Sequence, residues 1–277
     1  MLRCAPVMKV PSYAKINWAL RVVGKRADGY HDIETLFQTI SLHDTLTFER
    51  SKRLSLTCSE PSIPVDETNL VLRAAKALGS PPVAIRLEKR IPAGGGLGGG
   101  SSNAAATLAA LAKMFDLRDP LHEIASKIGS DVPFFLQGGT AYAIGRGEAL
   151  TSLPDLPSIP LLLLVPQQRV STAEAYATLN RFSPVLGIGQ YQSMIDHGLL
   201  DHAAELVNDF EESIFERLPE LGRLKERLLE HGAAWAAMSG SGSTLVGAFR
   251  KPVQRDKAAA QITDVQTIAC ETIGQLT

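Results

Sequence analysis

Six of the seven residues from position 94 to 100 are glycine, and their neighbours point to phosphate chemistry. Just before them Val83, Ile85 and Leu87 alternate with Ala84, Arg86 and Glu88, the two-residue period of a strand. Just after them residues 104–114 are rich in strong helix formers. A strand that feeds a glycine loop opening a helix leaves backbone N–H groups with no Cβ in a ligand's way. Loop N–H groups and a helix N-terminus together attract an anion, most often phosphate. A flexible linker of the same composition would not sit between a strand and a helix. Gly94, Gly96 and Gly99 also satisfy G-x-G-x-x-G, but a dinucleotide fold needs an acidic residue at a strand end about 20 residues on. Residues 115–120 are instead a loop after a helix. No lysine follows the glycines as a Walker A loop requires. The His-Arg-Asp and Asp-Phe-Gly signatures of protein kinases are absent.

Other reactive side chains stand at suggestive places. Ile16, Trp18, Leu20 and Val22 alternate with Asn17, Ala19 and Arg21, a half-buried strand. Its period puts Lys15 and Asn17 on one face, opposite the core, where a lysine is ordinarily solvated. Tyr30 and His31 leave a loop turned by Asp28-Gly29. They read as two surface side chains, or as an aromatic plate beside a donor and acceptor that suits a planar base. Asp131 precedes Val132-Pro133-Phe134-Phe135, where an aspartate caps a helix or serves as a general base. Ser239-Gly240-Ser241-Gly242-Ser243 lies between two short apolar strands, as a tight hairpin turn or a second loop over the phosphates.

These residues must be positioned by a mixed set of elements. Strands are expected at 36–42, 45–49 and 54–58, with a helix at 69–78 that Gly79 stops. A helix at 121–128 and a strand between the glycine turns of 138–148 follow. Pro154, Pro157 and Pro160 mark a boundary, dividing the chain into domains 1–157 and 158–277. Beyond it come a buried strand at 161–165 and a helix opened by the capping box Ser171-Thr172-Ala173-Glu174. Helices are expected at 203–215 and 219–231, the second with a stripe of Leu221, Leu224, Leu228 and Leu229. A helix at 253–262 and a strand at 266–272 complete a small α+β sandwich.

The chain has 277 residues, ample for a large core, with 45% apolar and 21% charged residues. A net charge of -1 argues against nucleic-acid or anionic-membrane partners. Cys4, Cys58 and Cys270 lack metal-site spacing and read as reduced thiols. The first residues hold no apolar stretch of signal-peptide length. The most apolar run, 161–165, is too short to span a bilayer, so the cytoplasm is the expected location.

Ser12-Tyr13-Ala14-Lys15-Ile16-Asn17, the 92–105 loop and Met238-Ser239-Gly240-Ser241-Gly242 resemble, in order and spacing, the three motifs of the GHMP kinase superfamily, which includes galactokinase and the homoserine and mevalonate kinases. Three stretches resemble the branch of the non-mevalonate isoprenoid route that phosphorylates a cytidine diphosphate sugar alcohol. They are Arg26-Ala27-Asp28-Gly29-Tyr30-His31, the glycine run through Asn103-Ala104-Ala105, and Ser130-Asp131-Val132-Pro133-Phe134-Phe135. The resemblance implies an α+β two-domain fold: an N-terminal α/β domain with the phosphate loop, a C-terminal ferredoxin-like domain, and the active site in the cleft. It implies transfer of the ATP γ-phosphate, with Mg²⁺, to the 2-hydroxyl of the small-molecule substrate. Asp131 matches the catalytic base and Lys15 the lysine that polarises the hydroxyl. Pro92-Ala93-Gly94-Gly95-Gly96-Leu97-Gly98-Gly99-Gly100-Ser101-Ser102-Asn103 would hold the ATP phosphates. Tyr30 and Tyr176 would sandwich the cytosine, His31 would read its polar edge, and Asn17 and Thr172 would touch the substrate. Trp18 would be structural. Many superfamily members carry serine directly after Gly-Leu-Gly. Here Gly99-Gly100 stand there and serine comes only at Ser101, so no protein ligand to Mg²⁺ is assigned. Homoserine is the rival substrate, against which Tyr30-His31 argues, since a small amino acid needs no stacking plate.

Overall fold

The computed structural model describes residues 7–179 and 181–276; Cys4 lies outside them. Two compact units are present, and neither is one stretch of chain. The first takes the chain up to Ala14, Leu42–Ala93 and Gly98–Gln137; the second takes Lys15–Ser41, Gly94–Leu97 and Gly138–Thr277.

Two long strands, β1 (Met8–Lys25) and β2 (His31–Arg50), pair with each other and contribute to both units. In the first unit the end of β2 pairs antiparallel with β4 (Val83–Glu88), from Thr45 opposite Glu88 to Arg50 opposite Val83. β3 (Ser55–Cys58) adds in parallel to β4. Helix α1 (Leu70–Ala77) is capped by the Asn69 side chain accepting from the Val71 N–H. It packs on α2 (Gly99–Phe115), as do α3 (Leu121–Ile128) and α4 (Phe134–Gln137).

In the second unit the start of β2 pairs with β5 (Thr140–Gly145), which pairs with β6 (Ala149–Leu153). A separate antiparallel sheet has the order β10-β7-β9-β8, from β7 (Pro160–Val165), β8 (Trp235–Met238), β9 (Leu245–Ala248) and β10 (Gln266–Glu271). Helices α5 (Thr172–Ala177), α6 (Ile188–Asp196), α7 (Glu211–Arg217), α8 (Pro219–Glu230) and α9 (Pro252–Gln261) belong to this unit. Its core joins Leu20 and Val22 of β1, Leu162 and Leu164 of β7, and the expected Leu221, Leu224 and Leu228 stripe of α8. Leu229 falls outside that stripe and is exposed. Among the described residues no helix is long and apolar enough to cross a membrane.

Further expectations need correction: the strands expected at 36–42 and 45–49 are one strand, β2. Residues 14–20 of β1 are buried without alternation, so Lys15 and Asn17 are not on a solvated face; both faces of the strand are covered, which a two-residue period cannot reveal. Helix α2 starts at Gly99, inside the glycine run, so Gly99 to Asn103 form its first turn. Glycine is tolerated there because first-turn N–H groups need no intrahelical partner. The helix expected at 203–215 is two elements, a 3₁₀ segment Leu199–Glu205 and α7. Between them the buried Asn208 side chain donates to the Met238 and Gly240 carbonyls at 2.7 and 2.8 Å and accepts from the Phe210 N–H. That competes with helix continuation.

Candidate active site

The glycine loop is built from both ends. At its entrance Asp44 of β2 is fully buried. Its carboxylate accepts the N–H groups of Arg90 and Ile91 at 2.7 and 2.8 Å, the Asn103 amide at 2.9 Å, and the Lys89 ammonium. Asn103 also donates to Ser12 Oγ, which bonds Ser102 Oγ at 2.7 Å. One carboxylate thus ties the chain entering the loop to the first turn of α2. Asp44→Ala would leave a buried ammonium and two backbone N–H groups unmatched. We expect it to destabilise the protein by about 3–5 kcal/mol, read as a lower midpoint in urea unfolding; an unchanged midpoint would refute this role.

The loop has left-handed backbone at Gly94, Gly96 and Gly98 (φ 68, 76 and 69°). Gly98 caps α2 with no side-chain bond, and the first N–H groups of a helix have no intrahelical partner. A Cβ on Gly99 would lie 3.0 Å from Ile91 Cγ2 and 3.2 Å from Lys89 Nζ. That leaves little room for a serine there, which gives the departure from the superfamily pattern a physical cause.

Within the second unit, residues 94–97 are stitched to two other sequence motifs. The Lys15 N–H donates to the Leu97 carbonyl at 3.0 Å. Ser239 Oγ donates to the Gly96 carbonyl at 3.0 Å. A Cβ on Gly96 would fall 1.9 Å from the Ser239 carbonyl oxygen. The Ser-Gly-Ser segment therefore joins the paired strands β8 and β9, the hairpin reading of the sequence, and it also packs against Gly96 of the glycine loop.

Lys15 is 4% exposed. Its ammonium donates to Asn17 Oδ1 at 2.6 Å and stands 5.3 Å from the centroid of the Phe37 ring. A Cβ on Gly240 would lie 3.4 Å from it. Asn17 in turn donates to Thr35 Oγ1 at 2.7 Å, and Thr35 to the Ala19 carbonyl at 2.6 Å. This relay fixes the Asn17 amide with its oxygen toward Lys15. Asp131 is half-buried in the turn between α3 and α4, in the first unit.

An aromatic cluster lies elsewhere in the second unit. His31 and Tyr176 stack with centroids 4.7 Å apart and planes 18° apart. Tyr176 meets Phe210 edge-on at 4.9 Å. Phe182 stands 6.2 Å from His31 at 50°. Burial, and then the charge of Lys25, push the His31 pKa below its usual value, so its ring is neutral near pH 7. Tyr30 is largely exposed, with the Arg146 guanidinium 5.0 Å from its ring centroid. Thr172 Oγ1 hydrogen-bonds Ser241 Oγ at 3.1 Å, and the Ser171–Glu174 capping box is present.

Comparison with known proteins shows the family. The family model "GHMP kinases N terminal domain" matches residues 69–139, and "GHMP kinases C terminal" matches residues 192–266. The 4-diphosphocytidyl-2-C-methyl-D-erythritol kinase of Chlorobium chlorochromatii is 40% identical over 87% of this chain and 88% of its own. That of Solibacter usitatus is 45% identical over 86% and 79%. The chain belongs to the 4-diphosphocytidyl-2-C-methyl-D-erythritol kinase family. A crystal structure of a 4-(cytidine 5'-diphospho)-2C-methyl-D-erythritol kinase superposes with a TM-score of 0.84 at 36% identity, over 96% of this chain and 100% of that one.

In this member of the kinase family, four residues that sequence reasoning missed shape the surroundings of the motifs: Asp44, Thr35, Asn208 and Phe182. Asp44 and Asn208 had no signal in their own neighbourhoods, where polar residues adjoin them. Thr35 and Phe182 had none, because their partners are distant in sequence.

Proposed function

We propose that the protein transfers the γ-phosphate of ATP to the 2-hydroxyl of 4-diphosphocytidyl-2-C-methyl-D-erythritol, giving the 2-phosphate and ADP. The observation that carries this reading is the buried Lys15 ammonium, fixed by Asn17 beside residues 94–97 and the 239–242 turn. In this reading Asp131 takes the hydroxyl proton as the oxygen bonds to the γ-phosphorus and the bond to the β-phosphate oxygen breaks. Lys15 stabilises the charge that develops on the transferring group, as positioned cations do in phosphoryl transfer. N–H groups of the loop, Pro92 to Asn103, hold the phosphates. Tyr30 and Tyr176 stack on the cytosine, His31 reads its polar edge, and Asn17 and Thr172 touch the substrate.

Mg²⁺ accompanies ATP in this reading, neutralising phosphate charge when bound. Among the described residues no group of three or more His, Cys, Asp or Glu side chains is placed to hold a metal ion. Mg²⁺ keeps water and substrate phosphates as most of its ligands, so no set of protein ligands is assigned to it. The two family-model matches fall one in each of the halves 1–157 and 158–277, which supports reading these as the two kinase domains. We propose a cytoplasmic location on the same footing.

An ADP-release assay with ATP and Mg²⁺ tests the function, run in parallel with the cytidyl alcohol, homoserine, mevalonate and galactose. We expect turnover of the cytidyl alcohol alone. Turnover of another alcohol instead would keep the phosphoryl chemistry and overturn the substrate.

A further inference from the structure

Residues 181–187 have no regular secondary structure, yet they are held at both ends. The Ser183 N–H donates to the Val22 carbonyl at 2.9 Å, and its hydroxyl donates to Asp209 at 2.8 Å. Asp209 also accepts the Val22 N–H at 2.7 Å, so the same carboxylate ties the segment to β1. Further along, the buried Glu34 carboxylate accepts the N–H groups of Leu186 and Gly187 at 2.8 and 2.7 Å. The Tyr142 hydroxyl donates to Glu34 at 2.9 Å, fixing its rotamer. A surface segment bonded this way to Glu34 of β2 and to Asp209, a turn residue itself tied to β1, is set in place rather than loosely draped.

What the segment presents is Phe182. Its side chain is among the large apolar groups left in solvent, at 49% exposure, although its ring stands 6.2 Å from His31. Burying the ring fully in the neighbouring core would be the ordinary use of a phenylalanine. Here it is kept half open, tilted beside a neutral imidazole that itself stacks on Tyr176. Rings with an open face beside a donor and acceptor are the surface on which a planar base stacks.

We propose that Phe182 is a specificity-determining contact of the nucleobase, a further ring beside His31 and Tyr176, and that Glu34 and Asp209 position the segment carrying it. The inference rests on the reading of the cytidyl alcohol as substrate. It adds a residue outside the motifs that suggested that reading.

Phe182→Ala is the test, because an exposed side chain can be removed without threatening the fold. Steady-state kinetics should show KM for the cytidyl alcohol raised about tenfold, the scale of losing one stacking ring. KM for ATP and kcat should change less than about twofold, and Phe182→Tyr should behave as wild type. A purely structural role would move both KM values together. Wild-type turnover of the cytidyl alcohol with KM unchanged in Phe182→Ala overturns this proposal alone. Absence of turnover in the wild type overturns the functional reading, and this proposal with it.

Discussion

Asp131→Asn is expected to lower kcat at least about 100-fold, while ADP still binds with wild-type affinity in calorimetry. The alcohol must lose its proton as the new P–O bond forms, and an amide cannot take it. Loss of a positioned general base costs on the order of 10²–10⁴ in rate. Asparagine keeps the size and much of the hydrogen bonding of aspartate, so the half-buried turn between α3 and α4 should survive. Lys15→Met should fall in the same range for a different reason, removing a charge where charge develops. On the proposed mechanism the two groups act in one step, so the double variant should be little worse than the poorer single one. Near-wild-type turnover in Asp131→Asn would overturn the proposed role of this carboxylate.

The second large effect is expected at Gly96. An alanine there meets two obstacles. Its backbone has φ 76°, which L side chains rarely adopt. Its Cβ would also overlap the Ser239 carbonyl, 1.9 Å from the oxygen and 2.9 Å from the carbon. Both obstacles are backbone, so the loop or the 239–242 turn must move. Shifts near 1 Å at a site that works by positioning cost about 100-fold. Gly96→Ala should therefore lower kcat/KM for ATP by about that factor, with a weaker ADP affinity in calorimetry. Gly24→Ala is the control: nothing lies within 4 Å of a Cβ placed there, and its backbone is not left-handed. Equal ATP kinetics in the two variants would show that the close approach at Gly96 has no part in phosphate binding.

Much of this was legible in the sequence because it was local. The strand before the glycines, the capping box at Ser171 and the stop at Gly79 each depend on residues a few places apart, and the structure has all three. So was the paired hairpin around the Ser-Gly-Ser segment. What was not legible depends on distant partners. Lys15 appeared to face solvent because alternation describes one strand and not what covers it. Asp44 could not be linked to Arg90, Ile91 and Asn103, which lie at least 45 positions away. The start of α2 was hidden because glycine has poor helix propensity, and only the Gly98 cap shows where the helix begins. The pairing of His31 with Tyr176 joins residues in different elements, and only the fold brings them into contact.

The interleaving of the two units bears on how the chain is made. The second unit's core needs Leu20 and Ile33 together with Leu162, Phe249 and Ile262. Its edge is closed when Ile273 donates to the Thr39 carbonyl at 3.0 Å and Thr272 bridges to Ile40. On the ribosome, strands β1 and β2 emerge long before these partners. At about 5–20 residues per second, roughly 6 to 50 seconds of synthesis separate them. During that interval β1 and β2 can pair with each other, but the apolar side chains they give to the second unit's core lack their later partners, a condition that favours aggregation of nascent chains. The core of this unit can therefore close only after the last of its strands has been made, and its yield in a cell is expected to depend on holdase chaperones more than that of a protein with contiguous domains.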